Sequence, residues 1–374
     1  MQRRAFLRSG LAMGALGLST PGALLTYSPT SRPSRRDGGP IRLSSNENPL
    51  GISPRAREAI VAGLDDANRY PQRRGALLDA VAAHHGVDRD LIVLGAGSTE
   101  LLKMAVQALT TPRGTLIAAQ PTYEDAFFYA TPFPVHVVTV PLTSDHAHDL
   151  DRMRTAAEAS AGPTVVYLCN PNNPTGTLTP SAAIDAWIAE APDDLSFLVD
   201  EAYFDFVADE HYWSALHWVP DRPNVLVART FSKVYGMAGI RLGYGIMHRA
   251  LARRLRQFHV RNNANHFAIV AALASLEDEG FVRRSLEVNR RGRRILYDCL
   301  DELAMPYLPS HTNFVMHRLA GDVRRYRNRM REEGILVGRP FPPMLDHCRV
   351  SIGLPDEMEL LATVMRRMRD AGEL

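Results

Sequence analysis

The sequence contains very little lysine. Only Lys103 and Lys233 are lysines, and the other 41 of its 43 basic residues are arginines. Arginine stays protonated near neutral pH, whereas lysine can lose a proton and act as an amine nucleophile. Lys103 lies in a helical pattern over residues 100–109, which favours a solvated surface cation. Lys233 lies among glycines and hydroxyl groups after a predicted strand, which makes it the candidate for amine chemistry.

Other absences narrow the class of protein. Cys169, Cys299 and Cys348 form no CxxC pair, which favours three separate thiols over a zinc site or a disulfide framework. No apolar run after the N-terminus approaches the roughly 20 residues of a membrane span. A formal net charge of +2 gives no indication of a nucleic-acid or anionic-membrane surface. The 374 residues, 45% of them hydrophobic, are enough for one large α/β domain and a smaller one.

The N-terminus resembles a twin-arginine export signal. Arg3 and Arg4 precede Phe6-Leu7 and a weakly apolar, glycine-rich stretch over residues 11–25, in the order typical of such signals. The alternative is a chance basic terminus before an ordinary helix. We predict a signal and linker over residues 1–40 and an exported or periplasmic protein, which would be cytoplasmic if the signal does not work. No A-x-A motif marks a cleavage site.

The rest of the chain alternates short apolar runs with helical patterns. This alternation predicts an α/β fold with a large, mostly parallel sheet that has helices on both faces. The pattern over residues 266–303 is helical, and its many arginines alternate with acidic residues, which favours a solvated face over a nucleic-acid patch. We predict a large domain over 65–265 and a small α+β domain from 41–64 and 266–374. The predicted strands of the large sheet are 91–94, 115–119, 135–140, 164–169, 197–199, 225–228 and 242–247.

Polar motifs follow four of the predicted strands. They are Gly-Ala-Gly-Ser-Thr-Glu at 95–100, Asn-Pro-Asn-Asn-Pro-Thr-Gly at 170–176, Asp-Glu-Ala-Tyr at 200–203 and Thr-Phe-Ser-Lys at 230–233. In open α/β sheets, ligands bind outside the carboxyl ends of the strands. The sequence therefore predicts one ligand site that is built from these four segments.

The first of these segments suggests a phosphate site. Gly97-Ser98-Thr99 opens a predicted helix, where backbone N–H groups and the helix dipole attract anions. A dinucleotide-binding G-x-G-x-x-G pattern fails because Glu100 holds the last position, and an ordinary strand-to-helix turn is the alternative. Ser232 and Arg241 are further phosphate ligands by residue type; for Arg241 the alternative is a surface cation.

Asp200 ends an apolar run, where a buried carboxylate is unfavourable unless it has a partner. A protonated pyridine nitrogen is a suitable partner, and such pairing keeps pyridoxal 5′-phosphate (PLP) an effective electron sink. A metal ligand or a helix N-cap is the alternative for this one residue. Tyr203 would place its hydroxyl near the same ring.

The motifs resemble, in order and spacing, the class I/II aminotransferases of PLP fold type I, and most closely histidinol-phosphate aminotransferases. The resemblance extends from Leu-Ser-Ser-Asn-Glu-Asn-Pro at 43–49 to Cys-Arg-Val-Ser-Ile-Gly at 348–353. It implies that PLP is the cofactor, that the substrates are a small amino donor and a 2-oxo acid, and that the protein is a homodimer.

The resemblance also implies a role for each matching residue. Lys233 would form the Schiff base and then move the proton between substrate and cofactor, and Asp200 would pair with the pyridine nitrogen. Tyr123 would stack on the ring, while Asn173 and Tyr203 would bind its phenolic oxygen. Four residues would hold the phosphate, with Tyr70 of the other subunit, and Arg349 would bind the acidic group of the substrate. The four phosphate ligands are Ser98, Thr99, Ser232 and Arg241.

The sequence departs from this resemblance after the strand Gly-Ile-Leu-Val at 334–337. Histidinol-phosphate aminotransferases usually carry an arginine next, whereas here Gly338 precedes Arg339 and a proline-rich loop. A displacement by one residue reverses the facing of a side chain in an extended segment. We therefore expect that Arg339 binds the substrate from a position displaced by one residue. We also expect that histidinol phosphate is not the best substrate.

Two other functions remain open at this level. A PLP-dependent decarboxylase of the threonine-phosphate type would use the same scaffold, because the bond that breaks depends on how the substrate is oriented. A non-catalytic PLP-binding regulator would need a DNA-binding domain, and the segment before Leu43 is too short for one.

Overall fold

The computed structural model describes residues 39–374, so the predicted export signal lies outside the described residues. Twelve strands occur in the described part of the chain: β1 Ile41–Leu43, β2 Ile92–Gly95, β3 Thr115–Gln120, β4 His136–Pro141, β5 Thr164–Cys169, β6 Leu195–Asp200, β7 Val225–Thr230, β8 Gly243–Met247, β9 Tyr307–Leu308, β10 Phe314–Arg318, β11 Ile335–Val337 and β12 His347–Ser351. Its α-helices are α1 Pro54–Ala62, α2 Arg74–His85, α3 Ser98–Thr110, α4 Asp125–Ala130, α5 Leu150–Glu158, α6 Ser181–Glu190, α7 Arg249–Leu255, α8 His266–Leu276, α9 Glu279–Glu302, α10 Val323–Glu332 and α11 Pro355–Asp370.

The main sheet has seven strands in the order β2-β8-β7-β6-β5-β3-β4. All neighbours pair in parallel except β8, which is antiparallel to both β2 and β7. The amino end of β8 therefore lies at the same edge as the carboxyl ends of the other strands. The predicted mostly parallel sheet is confirmed, and every one of its seven predicted strands is present within a few residues of the predicted bounds.

Both faces of this sheet are buried, which explains the continuous apolar runs of its strands. In β5, Val166 and Leu168 pack in one core with residues of α2, α5, α6 and α8. Val165 and Tyr167 point the other way and pack with residues of α3, α4 and α7. The period-2 alternation of a strand thus supplies both layers of helices with apolar contacts.

A second core holds the C-terminal part of the chain. It combines residues of α9, α10 and α11 with the antiparallel sheet β12-β10-β9 and the parallel pair β1-β11. Ile41 and Leu43 of β1 belong to this core, whereas Ala56 of α1 and Ala268 of α8 belong to the core of the main sheet. The domain bounds given above stay a prediction.

Helix termini follow the capping chemistry of the sequence. Ser53 accepts a hydrogen bond from the backbone N–H of Ala56 and precedes Pro54, the first residue of α1, as is typical of helix starts. Asp278 caps α9 through the N–H of Phe281, and this cap divides the helical stretch predicted over 266–303 into α8 and α9. None of the helices described for residues 39–374 is long and apolar enough to cross a membrane.

Candidate active site

The carboxyl edge of the main sheet brings the four predicted segments together. Asp200 is the last residue of β6, Thr230 is the last residue of β7, and Asn170 follows β5 directly. Ser98 begins α3 three residues after β2 ends, which confirms that this segment opens a helix after a strand. Arg241 lies two residues before β8, which reaches the same edge because it is antiparallel.

Asp200 is a buried carboxylate with neutral partners. Its side chain accepts hydrogen bonds from the Tyr167 hydroxyl at 3.0 Å and from the backbone N–H of Ala202 at 3.1 Å, and the residue is 2% exposed. Burial raises the pKa of Asp200 to about 6, although these hydrogen bonds and the charge of Lys233 oppose the rise. The carboxylate is therefore ionised at pH 7–8 and is available to a cationic partner.

Lys233 presents an amine in the same space. It is half-buried, and its Nζ lies 5.4 Å from the centre of the Tyr203 ring. Desolvation and the nearby Arg349 lower the pKa of Lys233 to about 8, against the attraction of Asp200. No side chain or backbone group of residues 39–374 forms a hydrogen bond with this amine. A lysine in this state loses its proton within the physiological range and becomes nucleophilic.

Tyr203 is held by two asparagines. Asn46 donates to its hydroxyl from 3.0 Å, and Asn173 donates from 3.4 Å. The Oδ1 of Asn173 accepts a hydrogen bond of 2.6 Å from Arg349, whose other Nη donates to the carbonyl of Ser44 at 2.9 Å. The predicted residues Asn173, Tyr203 and Arg349 thus form one hydrogen-bonded chain beside Lys233.

The start of α3 forms a cradle of the kind that binds phosphate. Gly97 has a φ of +82°, and a Cβ built on it would lie 2.3 Å from Nη2 of Arg241. The positive φ favours glycine at this position, and the guanidinium lies directly over the turn. Arg241 is exposed, with Nη1 bonded to the carbonyl of Ala238 at 2.9 Å. Ser232 is 8% exposed, and its N–H is bonded to Thr230.

Tyr123 lies between this cradle and the acidic start of α4. Its hydroxyl donates to Asp125 at 2.7 Å. Burial and the hydrogen bond to Asp125 both raise the pKa of Tyr123, while the hydroxyl of Thr99 opposes the rise. The half-buried ring is thereby fixed next to the helix start that carries Ser98 and Thr99.

Arg349 and Arg339 both lie against the Phe341 ring. Their guanidinium carbons are 4.6 Å and 4.3 Å from its centre. Arg349 is 7% exposed and has a pKa lowered to about 10 by desolvation. Arg339 is about half exposed and forms an ion pair with Glu124, the residue after Tyr123. The two arginines therefore differ: one is buried among neutral groups, and the other is neutralised at the surface.

Gly338 leaves no room for a side chain. A Cβ on it would lie 2.5 Å from the carbonyl oxygen of Arg349, because the two backbones pair through the N–H of Gly338 at 2.8 Å. The arginine that the resemblance places at this position is incompatible with this backbone.

Tyr70 lies apart from the cluster. Its side chain is 77% exposed, and its hydroxyl takes part in none of the hydrogen bonds described above.

The chain is similar to known aminotransferases over most of its length. The family model "Aminotransferase class I and II" matches residues 39–364. The chain belongs to the class I and II aminotransferases.

Two relatives that are similar to this chain are both named histidinol-phosphate aminotransferases. "Histidinol-phosphate aminotransferase 2" of Ralstonia nicotianae is 39% identical over 326 residues, which are 85% of each chain. The enzyme named histidinol-phosphate aminotransferase from Moorella thermoacetica is 38% identical over 79% of this chain and 77% of its own.

Solved structures agree with this assignment. A putative histidinol-phosphate aminotransferase from Erwinia carotovora atroseptica superposes with a TM-score of 0.87 at 38% identity, over 90% of this chain and 97% of its own. The enzyme from Sinorhizobium meliloti, solved in complex with PLP, gives a TM-score of 0.81 at 27% identity, over 87% and 91%. A threonine-phosphate decarboxylase from Porphyromonas gingivalis, at 22% identity and a TM-score of 0.75, shares the fold alone. The protein is therefore an aminotransferase of fold type I that uses PLP, and the decarboxylase alternative is the weaker one.

The residues of the cluster fit this cofactor. A pyridine ring with a proton on its nitrogen requires a buried anion, and Asp200 provides one. A phosphate requires donors at a helix start, which Gly97, Ser98 and Arg241 provide. The aldehyde carbonyl of PLP requires an amine that has no competing hydrogen-bond partner, and Lys233 provides one among residues 39–374.

Two residues of the cluster had no predicted role. Asn46 occurs in the quoted segment 43–49, and its φ of 53° with a 2% exposed side chain sets it apart from an ordinary loop residue. Tyr167 lies inside β5, and only the pairing of β5 with β6 brings it beside Asp200. The sequence contains no local indication of that pairing.

Proposed function

We propose that Lys233 is the catalytic lysine of this aminotransferase. The observation that supports it is the half-buried amine without a hydrogen-bond partner among residues 39–374, placed 5.4 Å from the centre of the Tyr203 ring. When bound, PLP supplies the electron sink that makes the α-hydrogen of the amino donor acidic. Lys233 would hold the cofactor covalently at rest and, once freed, move that proton at its Nζ.

Asp200 and the hydrogen-bonded chain would orient the reactants. Asp200 would keep a proton on the pyridine nitrogen, and Tyr203 with Asn173 would bind the phenolic oxygen. Arg349 would bind the carboxylate of the amino acid or 2-oxo acid, because it is a buried cation with an Nε that has no partner within residues 39–374. Ser98, Thr99, Ser232 and Arg241 would hold the phosphate.

The two lysines provide a matched experiment. Lys233→Arg keeps the charge but removes the amine, whereas Lys103→Arg changes the other, exposed lysine. After borohydride reduction we expect covalently bound PLP in wild type and Lys103→Arg and none in Lys233→Arg. Turnover of Lys233→Arg should fall by about 10²–10⁴-fold or more. Covalent PLP or wild-type turnover in Lys233→Arg would refute the assignment.

We also propose that an amino acid, and not histidinol phosphate, is the preferred amino donor. Gly338 excludes the usual arginine, and Arg339 is already paired with Glu124 and stacked on Phe341. A phosphate would have to compete with the carboxylate of Glu124 for that guanidinium, which weakens the charge-assisted bonds that a phosphate needs.

A panel of donors tests the proposal. The panel contains histidinol phosphate and amino acids, including aromatic and basic ones. We expect kcat/KM for at least one of the amino acids to exceed the value for histidinol phosphate. Glu124→Gln frees Arg339 and should raise kcat/KM for histidinol phosphate, whereas Arg339→Gln should leave that value unchanged. A clear preference of wild type for histidinol phosphate, lost in Arg339→Gln, would instead make Arg339 its phosphate ligand.

We propose further that the enzyme is a homodimer in which Tyr70 reaches the phosphate site of the partner. Exposed apolar side chains precede Tyr70 in the chain, namely Val61 and Leu64, and Val260 is exposed as well. Arg74, four residues after Tyr70, forms a hydrogen bond of 3.3 Å with the ring of His259, which precedes Val260. An apolar surface of this kind is typical of a protein interface.

Export is the last proposal. It is supported by Arg3-Arg4 and the weakly apolar residues 11–25, a segment type that exports folded proteins with their cofactors. Cell fractionation of wild type and an Arg3→Lys/Arg4→Lys variant tests it. Retention of both forms in the cytoplasm would show that the segment is not a working signal.

A further inference from the structure

A buried ion pair joins residues next to the proposed catalytic ones in the chain. Arg229 and Glu201 have side chains that are 7% and 2% exposed, and they are joined at 2.6 Å between Nη2 and Oε2. The Nε of Arg229 adds a second hydrogen bond of 2.8 Å to the same carboxylate oxygen. The pair touches neither Lys233 nor Asp200 through any hydrogen bond in the described part of the chain.

The surroundings of the pair fix its geometry. Ser214 donates its hydroxyl to Glu201, with 2.9 Å and 2.7 Å to the two carboxylate oxygens, and the N–H of Ala215 adds a bond of 2.9 Å. The guanidinium of Arg229 lies 3.7 Å from the centre of the Phe204 ring. The carboxylate thus has three donors and the guanidinium packs against a ring, which restrains both side chains.

The pair joins the two strand ends that carry the site. Glu201 follows Asp200 at the end of β6, and Arg229 precedes Thr230, the last residue of β7. The backbone N–H of Glu201 is bonded to the carbonyl of Ala228 at 2.9 Å. Lys233 comes four residues after Arg229. The ion pair is therefore the side-chain link between the segments from which Asp200 and Lys233 project.

Stability alone gives no reason for such a pair. Removing two charges from water opposes folding, and well-packed apolar residues can often replace a buried ion pair without loss. We infer that Glu201 and Arg229 are positioning residues that set the distance between Asp200 and Lys233. This inference rests on the proposed roles of those two residues. The pair is neutral as a whole, so it acts through geometry.

Three variants test the inference: Glu201→Gln, Arg229→Gln and the double variant Glu201→Leu/Arg229→Met. Each single variant leaves a buried charge without its partner, whereas the double variant removes both charges. We expect the double variant to melt closer to wild type than either single variant. In all three, kcat per bound PLP should fall about 10- to 100-fold with little change in KM for the donor, as displaced catalytic groups would cause.

Two further measurements do not depend on turnover. The pH midpoint of the absorbance change of bound PLP should move by about half a unit or more, because it depends on the distances from the cofactor to Asp200 and Lys233. The dissociation constant of PLP from the cofactor-free protein should rise. The surface variant Arg366→Gln, which breaks an exposed pair with Glu302, should change none of these quantities.

The double variant decides the outcome even if both single variants fail to fold. If it matches wild type in kcat per bound PLP and in pH midpoint, the pair only stabilises the fold and the inference is overturned. A Lys233→Arg enzyme that keeps covalent PLP would instead refute the proposed function, whatever the ion-pair variants do.

Discussion

At the scale of single residues, Asp200 illustrates the conflict between folding and catalysis. Its carboxylate must be charged to pair with the cofactor, yet it is 2% exposed and its pKa is raised to about 6 from the ordinary 3.8. The cofactor-free protein therefore holds an anion without a cationic hydrogen-bond partner among the described residues. This state reduces stability, and the reduction depends on pH.

We predict that Asp200→Asn stabilises the cofactor-free protein while it abolishes efficient turnover. The pKa of Asp200 is higher in the folded than in the unfolded state, so the contribution of this residue to stability is present below about pH 4. It is lost as pH rises to about 6 and beyond. Because a difference of roughly two pKa units is worth about 3 kcal/mol, the variant should gain about 1–3 kcal/mol at pH 8 and little at pH 4.

Unfolding of the cofactor-free proteins at pH 4 and pH 8 measures this difference. Asp193→Asn is the matched control, since the Asp193 side chain is 75% exposed and should show no gain at either pH. An equal effect of Asp200→Asn at both values would mean that ionisation of Asp200 is not the cause.

At the scale of elements, the loop between β7 and β8 determines where Lys233 and Arg241 lie. Gly236 has a φ of +70°, and a Cβ built on it would lie 1.9 Å from the carbonyl oxygen of Gly51. The loop thus packs directly against the backbone of the segment that follows β1. Gly239, in the same loop, has open space around it.

Gly236→Ala should therefore be far more harmful than Gly239→Ala. A side chain at Gly236 must adopt a strained backbone and push the Gly51 segment away, with a loss of stability of about 1–3 kcal/mol or more. We also expect weaker PLP binding, because Lys233 and Arg241 flank this glycine. Thermal unfolding and PLP titration of the two variants check this, and similar results for both would contradict the packing argument.

The wider pattern of elements followed from the sequence to a large extent. Strand β5 has the predicted bounds, Thr164–Cys169, because a buried parallel strand is a continuous apolar run that polar residues terminate. Short strands with few residues, such as β1 and β9, were not predicted. Their existence depends on pairing with other strands, and two or three residues carry too little pattern to indicate it.

At the scale of the whole molecule, the proposed role of Tyr70 can be tested through the assembly of two subunits. If Tyr70 serves the phosphate site of the other subunit, each of the two sites needs residues from both chains. Tyr70→Phe and Lys233→Ala subunits would then each be impaired alone. In a mixed dimer, one site would contain the Lys233 and the partner's Tyr70 that it needs.

We predict that mixing these two variants under subunit exchange restores about one quarter of wild-type activity, since half of the dimers are mixed and each has one intact site. Size-exclusion chromatography should give the mass of a dimer. Confirmed exchange without recovery would show that Tyr70 acts within its own subunit or not at all. A mixture of wild type with Lys233→Ala is the control for the exchange itself.

The sequence by itself determined the chemical parts of the protein and their order. The chain has two lysines, Asp200 at the end of an apolar run and Gly97 before a helix. Together with the resemblance of its motifs to class I/II aminotransferases, these features indicate a PLP site. Residue type decides which reactions an amine or a carboxylate can take part in, whereas burial sets the pKa values of Lys233 and Asp200.

Only the tertiary structure decided how these parts are connected. The bonds of Arg349 to Asn173 and of Arg339 to Glu124 join residues 176 and 215 positions apart, and the bond of Asn46 to Tyr203 spans 157. Such contacts depend on how the small sheets pack against the edge of the main sheet, and no local period encodes that packing. The close approach of Gly338 to Arg349, which excludes the arginine of the resemblance, likewise exists only once the segment after β11 pairs with β12.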